Sequence, residues 1–148
     1  MKTFLVTGGA GFIGSHLTEK LLKEGHRVIV VDNFSSGKME NIKFPNYKAS
    51  LSLVKEDLKK PRKLGNAVEE CDVIFHFAAN PEVKIGETDP KIHLEENVYA
   101  TFNLLEAIRK TEKPKTIVFA STSTVYGEAA TIPTPEDYAP LIPISTYG

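Results

Sequence analysis

The stretch TFLVTGGAGFIGSHL, residues 3–17, joins a short apolar run to a glycine-rich turn and then to a helical pattern. In such a turn one glycine permits the tight bend, and another lets the backbone approach a pyrophosphate with no Cβ in the way. Gly14 lets the helix pack close to the strand, and the helix N-terminus offers free N–H groups to the phosphates. Glycines also fill ordinary turns, but the preceding strand and the following helix favour a dinucleotide site.

The second apolar run continues as VIVVDNFSSG, residues 28–37, and places Asp32 at its end, 18 residues after Gly14. A carboxylate there accepts hydrogen bonds from the adenosine ribose and repels a 2′-phosphate, so we predict NAD rather than NADP. A helix-capping aspartate in a turn is the alternative at Asp32, and a cap of the next helix is the alternative at Asp57. We predict that Asn33, Ser35, Ser36 and Gly37 close over the adenosine, and that Asp57 and Leu58, after the third strand, face the adenine edge.

The size and composition indicate one ordinary globular domain. The chain has 148 residues, 41% hydrophobic and 25% charged, with a formal net charge of −1. Without an excess of positive charge we expect no nucleic acid partner. No apolar run approaches the roughly 20 residues of a membrane helix, and no signal peptide pattern opens the chain. Cys71 is the only cysteine and the four histidines lack metal-ligand spacing, so we expect a cytoplasmic protein without a metal site.

Short apolar runs alternate with helical patterns along the chain, which predicts an α/β fold. Runs that are apolar on both faces suit strands buried between two helix layers. We predict a Rossmann-type doubly wound parallel sheet with strand order 3-2-1-4-5, and a core position for His76. The predicted strands are 3–7, 27–32, 51–57, 73–78 and 116–121. The helical patterns are Ile13, Leu17, Leu21 and Leu22, ended by Gly25, and Val98, Phe102, Leu105 and Ile108, ended by Pro114.

Five motifs follow one another along the chain. They are Thr7-Gly8-x-x-Gly11-x-x-Gly14, VDNFSSG at 31–37, FHFAA at 75–79, NVYATFNLLEA at 97–107 and STSTVYG at 121–127. Together they resemble the extended short-chain dehydrogenases/reductases. Within that family the chain is similar to the NAD-dependent sugar-nucleotide epimerases and dehydratases, most of all to the UDP-glucose 4-epimerases.

The resemblance implies site residues at the positions where this chain matches. Phe12 and Ile13 would supply backbone contacts to the pyrophosphate. Asn97 would support the site near the nicotinamide, unless it is only a polar residue at a helix N-terminus. Thr122 resembles the catalytic Ser/Thr of the family, and Tyr147 resembles the tyrosine of its Tyr-x-x-x-Lys motif. The other implied cofactor contacts are Gly8, Gly11, Gly14, Phe77, Ala78, Ala79 and again Tyr147.

The same resemblance implies that residues 1–148 form an incomplete NAD-binding Rossmann domain. The lysine of the motif would fall four positions after Tyr147, beyond Gly148. We therefore expect this chain to lack the last strands of the sheet and the C-terminal domain that grips the sugar nucleotide, and to be inactive alone. The intact protein is implied to be a homodimer that acts on a UDP-sugar.

The implied reaction is the interconversion of UDP-glucose and UDP-galactose through a transient 4-keto sugar. Dehydratases of the family carry Ser-Thr-Asp-Glu-Val-Tyr-Gly where this chain has STSTVYG, residues 121–127. Hydroxyl groups substitute poorly for the acid and base that elimination of water needs, so we expect no dehydratase. Other sugar-nucleotide epimerases, reductases and decarboxylases remain open, as does a non-catalytic NAD-binding module.

Overall fold

The computed structural model describes residues 1–148 and contains one parallel sheet of five strands. The strands are β1 (Thr3–Thr7), β2 (Arg27–Asp32), β3 (Leu51–Lys55), β4 (Val73–His76) and β5 (Thr116–Phe119). They lie in the order β3-β2-β1-β4-β5, which confirms the predicted sheet. The last three strands end two residues before the predicted limits, because the residues that follow them form loops at the carboxyl edge of the sheet.

The helices alternate with the strands along the chain and pack on the faces of the sheet. They are α1 (Phe12–Lys23), α2 (Leu64–Glu70), α3 (Lys91–His93) and α4 (Ala100–Arg109), and a π-helical segment, Leu94–Tyr99, joins the last two. α1 ends with hydrogen bonds from Gly25 N to Leu22 O and from His26 N to Leu21 O, with Gly25 at φ +81°. This left-handed glycine end confirms the predicted stop of α1. None of the helices combines the length and the apolar content needed to cross a membrane.

Two apolar clusters form the core, one on each face of the sheet, because alternate side chains of a strand point to opposite faces. Phe4 and Val6 of β1 pack with residues of α1. Leu5, between them, packs with residues of α2 and α4. The central strands are therefore buried on both faces, as the continuous apolar runs predicted.

Two apolar regions lie outside this core. β5 was expected to be buried on both faces, and that prediction is wrong: β5 is an outer strand paired only with β4, and Phe119 is 57% exposed. The second helical pattern does form a helix, but its Phe102 and Leu105 are 54% and 47% exposed. The residue of α4 that enters the core is Leu104, together with Ala100.

We expect Leu104→Ala to lower the free energy of unfolding by about 2–5 kcal/mol, because it empties a site in the core that is 1% exposed. Leu105→Ala, on the neighbouring exposed residue, is the matched control and should change stability by no more than about 0.5 kcal/mol. Urea denaturation followed by circular dichroism measures both. Equal losses in the two variants would contradict the orientation of α4.

Candidate functional site

A cleft of about 440 Å³ lies at the carboxyl edge of the sheet. It lies where the strand order reverses between β1 and β4, which is the position at which open parallel sheets bind ligands. Of the predicted site residues, Gly37 and Thr122 do not line it. Those that do are Gly8, Gly11, Phe12, Ile13, Gly14, Asp32, Asn33, Ser35, Ser36, Asp57, Leu58, Phe77, Ala78, Ala79, Asn97 and Tyr147.

The turn after β1 is held between the ends of β2 and β4. Gly8 has a φ of +67°, and its N–H donates to Val31 O at 2.9 Å. A Cβ on Gly8 would lie 2.8 Å from Ala78 N, so any side chain there would displace the loop after β4. Gly11 N donates to Gly8 O at 3.1 Å and closes the turn. The left-handed backbone and the close approach both require glycine at position 8.

The N-terminus of α1 presents unpaired donors to the cleft. The backbone N–H groups of Phe12, Ile13 and Gly14 donate to no atom of the chain, and the first turn of α1 has no acidic side chain. Free N–H groups and the positive end of a helix attract an anion. Gly14 packs so closely on the turn that a Cβ would collide with Gly8 O. The residues present therefore fit a pyrophosphate.

Asp32 ties the end of β2 to the glycine turn. Its Oδ2 accepts from Ala10 N at 2.9 Å, and its Oδ1 accepts from Phe34 N at 2.8 Å. Each carboxylate oxygen keeps a further lone pair for a ribose hydroxyl, so Asp32 is able both to hold the turn and to bind a ligand. Gly37 packs against Ala10 and Asp32, where a Cβ would lie 3.0 Å from Asp32 Oδ1, and this packing places it outside the cleft lining.

The predicted adenine contacts lie in the turn after β3. Asp57 Oδ1 accepts from Lys59 N at 2.8 Å, which closes that turn. Glu56 accepts from Lys63 N at 2.7 Å, at the start of α2. The alternative in which Asp57 caps the next helix is wrong, because no side chain accepts a capping hydrogen bond from α2. Leu58 is 5% exposed and belongs to the core, while both Asp57 and Leu58 line the cleft.

A chain of buried hydrogen bonds joins the ends of β1 and β4 to the π-helical segment. His76 is 2% exposed, with Nδ1 2.6 Å from Thr7 Oγ1 and Nε2 2.9 Å from Thr101 Oγ1. Thr101 Oγ1 donates to Asn97 O at 2.6 Å, so toward His76 it accepts. The imidazole therefore carries its proton on Nε2 and accepts the Thr7 hydroxyl proton at Nδ1. His76 is the hydrogen-bonded core group that its strand position predicted.

Asn97 holds the loop after β4 from the π-helical segment. Its Oδ1 accepts from Asn80 N at 2.7 Å, and its Nδ2 donates to Asn80 O at 3.2 Å. The same Nδ2 lies 3.3 Å from His93 Nδ1. Asn97 lies inside a helical run that begins at Lys91, so the alternative of a plain helix N-terminal residue is wrong. π-helical turns within α-helices are frequent at functional sites.

Tyr147 lines the cleft near this segment. Its ring meets the ring of His93 edge-on, with centroids 5.2 Å apart and an interplanar angle of 76°. Thr146 Oγ1 donates to Gly86 O at 3.2 Å and anchors the same stretch of chain. The contacts of residues 146 and 147 therefore bring a tyrosine that is distant in sequence to the edge where the glycine turn lies.

The side chain of Thr122, in contrast, has a structural role. Its Oγ1 accepts from Thr124 N at 3.2 Å and lies 2.9 Å from Thr124 Oγ1, so it caps the 3-10 helix Ser123–Tyr126. The preceding residue, Ser121, lines the cleft. The structure thus brings Tyr147 and Ser121 to the cleft, whereas the predicted hydroxyl of Thr122 lies outside its lining.

Several residues that line the cleft were missed. Ala120 and Ser121 follow β5 and Glu56 follows β3, so the rule that parallel strands end at one edge would have found them. Thr101 lies four residues after Asn97, on the same helix face. The others are Val31, Lys59, His76, Pro81, Glu96, Ala100 and Phe119, and most of these depend on helix packing that no local pattern records. No group of three His, Cys, Asp or Glu side chains is arranged to hold a metal ion.

The sequence model of the GDP-mannose 4,6-dehydratase family matches residues 5–148. The chain belongs to this family. The match confirms the predicted resemblance to the NAD-dependent epimerases and dehydratases. Over 145 residues the chain is 40% identical to a UDP-glucose 4-epimerase of Mycolicibacterium smegmatis, and over 137 residues it is 36% identical to UDP-glucuronic acid decarboxylase 1 of Danio rerio. These alignments cover 97% and 93% of this chain, but 46% and 31% of the two relatives.

Several solved structures share the fold of this chain. A crystal structure of UDP-galactose 4-epimerase matches with a TM-score of 0.84 and 53% identity, over 98% of this chain and 46% of that one. The UDP-glucose 4-epimerase of Thermus thermophilus, in complex with NAD, matches with a TM-score of 0.84 and 40% identity, over 98% and 46%. The chain therefore spans about half the length of the epimerases it matches.

We expect Gly14→Ala to lower the free energy of unfolding by about 1–3 kcal/mol, because the added methyl group overpacks the contact between α1 and the turn. Gly65→Ala, in α2, is the matched control. A Cβ at Gly65 meets nothing within 4 Å, so it should stabilise the chain by about 0.5–1 kcal/mol. Urea denaturation compares the two, and stabilisation by Gly14→Ala would contradict the close approach.

Burial lowers the pKa of His76 to about 4 from the ordinary 6.5. Between these values the unfolded chain binds a proton that the folded chain does not, so the free energy of unfolding falls as the pH drops through this window. The full loss is about 3 kcal/mol. His76→Gln should remove this pH dependence, while His16→Gln, at an exposed histidine, should keep it. Urea titrations at about pH 7 and about pH 4.5 measure the free energy of unfolding above this window and near its lower end. If the difference between the two pH values is the same in His76→Gln as in the unmodified chain, the assignment to His76 is contradicted.

Proposed function

We propose that the cleft binds NAD, with the pyrophosphate at the N-terminus of α1. The unpaired N–H groups of Phe12, Ile13 and Gly14 carry this proposal, because they are fixed donors that no other part of the chain uses. The complex of a relative from Thermus thermophilus with NAD supports it. When bound, NAD takes a hydride from a substrate carbon and returns it.

The adenosine half of NAD would lie between the ends of β2 and β3. Asp32 would accept hydrogen bonds from the ribose and repel a 2′-phosphate, and residues 33–36 would close over the sugar. Asp57 offers a carboxylate acceptor beside the N–H of Leu58, which donates to no atom of the chain. An acceptor next to a donor is complementary to the amino group and N1 of adenine. Phe77, Ala78 and Ala79 would line the path toward the nicotinamide.

For a longer protein that contains residues 1–148 as its NAD-binding part, we propose a sugar-nucleotide 4-epimerase that interconverts UDP-glucose and UDP-galactose. Tyr147 would remove the proton from the sugar hydroxyl and later return it. An ordinary phenol has a pKa of about 10 and is a weak base at neutral pH. The ammonium group of a lysine beyond residue 148, with the positive nicotinamide, would favour the phenolate. The 4-keto sugar would then rotate in the site, and carbon 4 would take the hydride back on its other face.

Thr122 would hydrogen-bond the reacting oxygen in this mechanism. That role requires its hydroxyl to leave Thr124 and turn toward the cleft, where Ser121 already lies. Ser123 and Thr124 stand where the dehydratases of the family carry carboxylates, which favours epimerisation over elimination of water.

A sugar-nucleotide decarboxylase is the second candidate, supported by the 36% identity to UDP-glucuronic acid decarboxylase 1. Another sugar-nucleotide reductase or a non-catalytic NAD-binding module would use the same cleft. Product analysis with UDP-galactose and UDP-glucuronate separates the epimerase from the decarboxylase. An epimerase converts the first substrate to UDP-glucose, and only a decarboxylase releases carbon dioxide from the second.

We also propose that the longer protein is a homodimer that pairs through α4. Val98, Tyr99, Phe102 and Leu105 form one apolar stripe along the π-helical segment and α4, and each is 47% to 57% exposed. A contiguous exposed stripe of this kind is typical of a protein interface.

The 148-residue chain is expected to bind NAD at least about tenfold more tightly than NADP, because the 2′-phosphate would face the Asp32 carboxylate. Asp32→Asn should reduce this preference by removing the charge. Asp137→Asn, in an exposed loop, is the matched control and should preserve it. Isothermal titration calorimetry with both dinucleotides measures the ratio. Failure of the unmodified chain to bind either one would overturn the proposed site.

In the longer protein, Tyr147→Phe is expected to lower kcat for UDP-galactose at least about 100-fold, because the variant has no phenol to exchange the proton. Tyr126→Phe is the matched control, since Tyr126 does not line the cleft. Residues 1–148 alone should bind NAD without turnover. Epimerisation by this chain alone, or full activity of Tyr147→Phe, would contradict the proposed mechanism.

A further inference from the structure

The turn after β3 is fastened from outside the cleft by one side chain. Asn103, on α4, donates from Nδ2 to Leu58 O at 2.8 Å and to Lys59 O at 3.2 Å. These carbonyl groups belong to consecutive residues, so one amide group holds two successive peptide planes. Asn103 is not among the residues that line the cleft.

The other contacts of this turn constrain it less. Lys59 Nζ lies 3.1 Å from Glu96 Oε1 and 3.8 Å from Asp57 Oδ2, but these side chains are 28% to 42% exposed and solvent weakens such ion pairs. The hydrogen bond to Glu96 raises the pKa of Lys59, so the ammonium group stays charged at neutral pH. The buried side chain of Leu58 anchors the turn in the core, yet an apolar contact has no directional preference. The hydrogen bonds inside the turn, from Lys59 N to Asp57 Oδ1 and from Lys60 N to Asp57 O at 3.0 Å, fold its backbone but do not tie it to a helix. The two hydrogen bonds of Asn103 fix the direction of the turn relative to α4.

The direction of these peptide planes decides what the turn offers to a ligand. The Leu58 N–H and the Asp57 carboxylate meet the cleft side by side only while the backbone between Asp57 and Lys59 keeps its present conformation. Leu58 O shares its peptide plane with the Lys59 N–H, which donates to Asp57 Oδ1. Rotation of this plane would break that hydrogen bond and free the Asp57 carboxylate to move away from the Leu58 N–H. The turn would then no longer complement one edge of a purine base.

We propose that Asn103 is a positioning residue for recognition of the adenine base. This inference rests on the proposed NAD site and deepens it: base selectivity depends on a side chain of α4 that the cofactor does not touch. The loss of Asn103 would reduce selectivity for the base while the phosphate contacts at α1 stay intact.

The test compares NAD with nicotinamide hypoxanthine dinucleotide, whose base has an oxygen in place of the amino group and a hydrogen on N1. Titration calorimetry on the 148-residue chain should give about a tenfold preference for NAD, the effect of about one net hydrogen bond. Asn103→Leu should reduce the ratio of the two dissociation constants to about one, mostly by weakening NAD binding. Asn66→Leu, at an exposed position of α2, is the matched control and should leave the ratio unchanged.

A double-mutant cycle with Asp57→Ala checks that Asn103 acts through the turn, because Asn103→Leu should then have no further effect on the ratio. If Asn103→Leu does not unfold cooperatively on heating, Asn103→Asp replaces it. That variant keeps the shape of the side chain and removes its N–H donor. An unchanged ratio, or equal weakening of both dinucleotides, would overturn the inference and leave the NAD site standing. Absence of NAD binding by the unmodified chain would overturn both.

Discussion

The candidate site depends on a backbone contact that only glycine permits. Gly8, in a left-handed conformation, lies against the backbone of Ala78, and Gly14 packs directly on the carbonyl of Gly8. These contacts bring the ends of β1 and β4 and the start of α1 into one small volume. A side chain at Gly14 would move α1 away from the turn, and its free N–H groups would no longer share a cleft with Asp32. A side chain at Gly8 would displace the loop after β4.

Polar groups around this turn serve the fold and the cleft together. Asp32 holds the backbone of Ala10, and Thr7 accepts from Phe77 N at 3.2 Å while it donates to His76. Buried polar groups lower stability unless they are paired, so these bonds allow a polar cleft wall to form above an apolar core. Because the groups are shared in this way, the walls of the cleft are set before any ligand binds.

The confirmed predictions were those based on the periodicity of apolar residues and on motifs of closely spaced residues. The apolar runs located all five strands, and the glycine turn and Asp32 both line the cleft. The exposure of Phe119 and Phe102 was not predictable, because apolar periodicity identifies a face of an element and does not record what packs on that face. The strand ends were likewise overextended, since apolar loop residues such as Phe77 continue the pattern of a strand.

The sequence by itself determined the positions of the five strands along the chain, the glycine turn and the acidic residue at the end of β2, because each follows from residues that are close together in the chain. Only the tertiary structure decided that Ser121 rather than Thr122 reaches the cleft and that Asn103 holds Leu58. The last contact joins residues 45 positions apart. Its geometry is set by how α4 packs beside α2 and reaches the turn after β3, and that packing is a property of the assembled sheet and helices rather than of any local pattern.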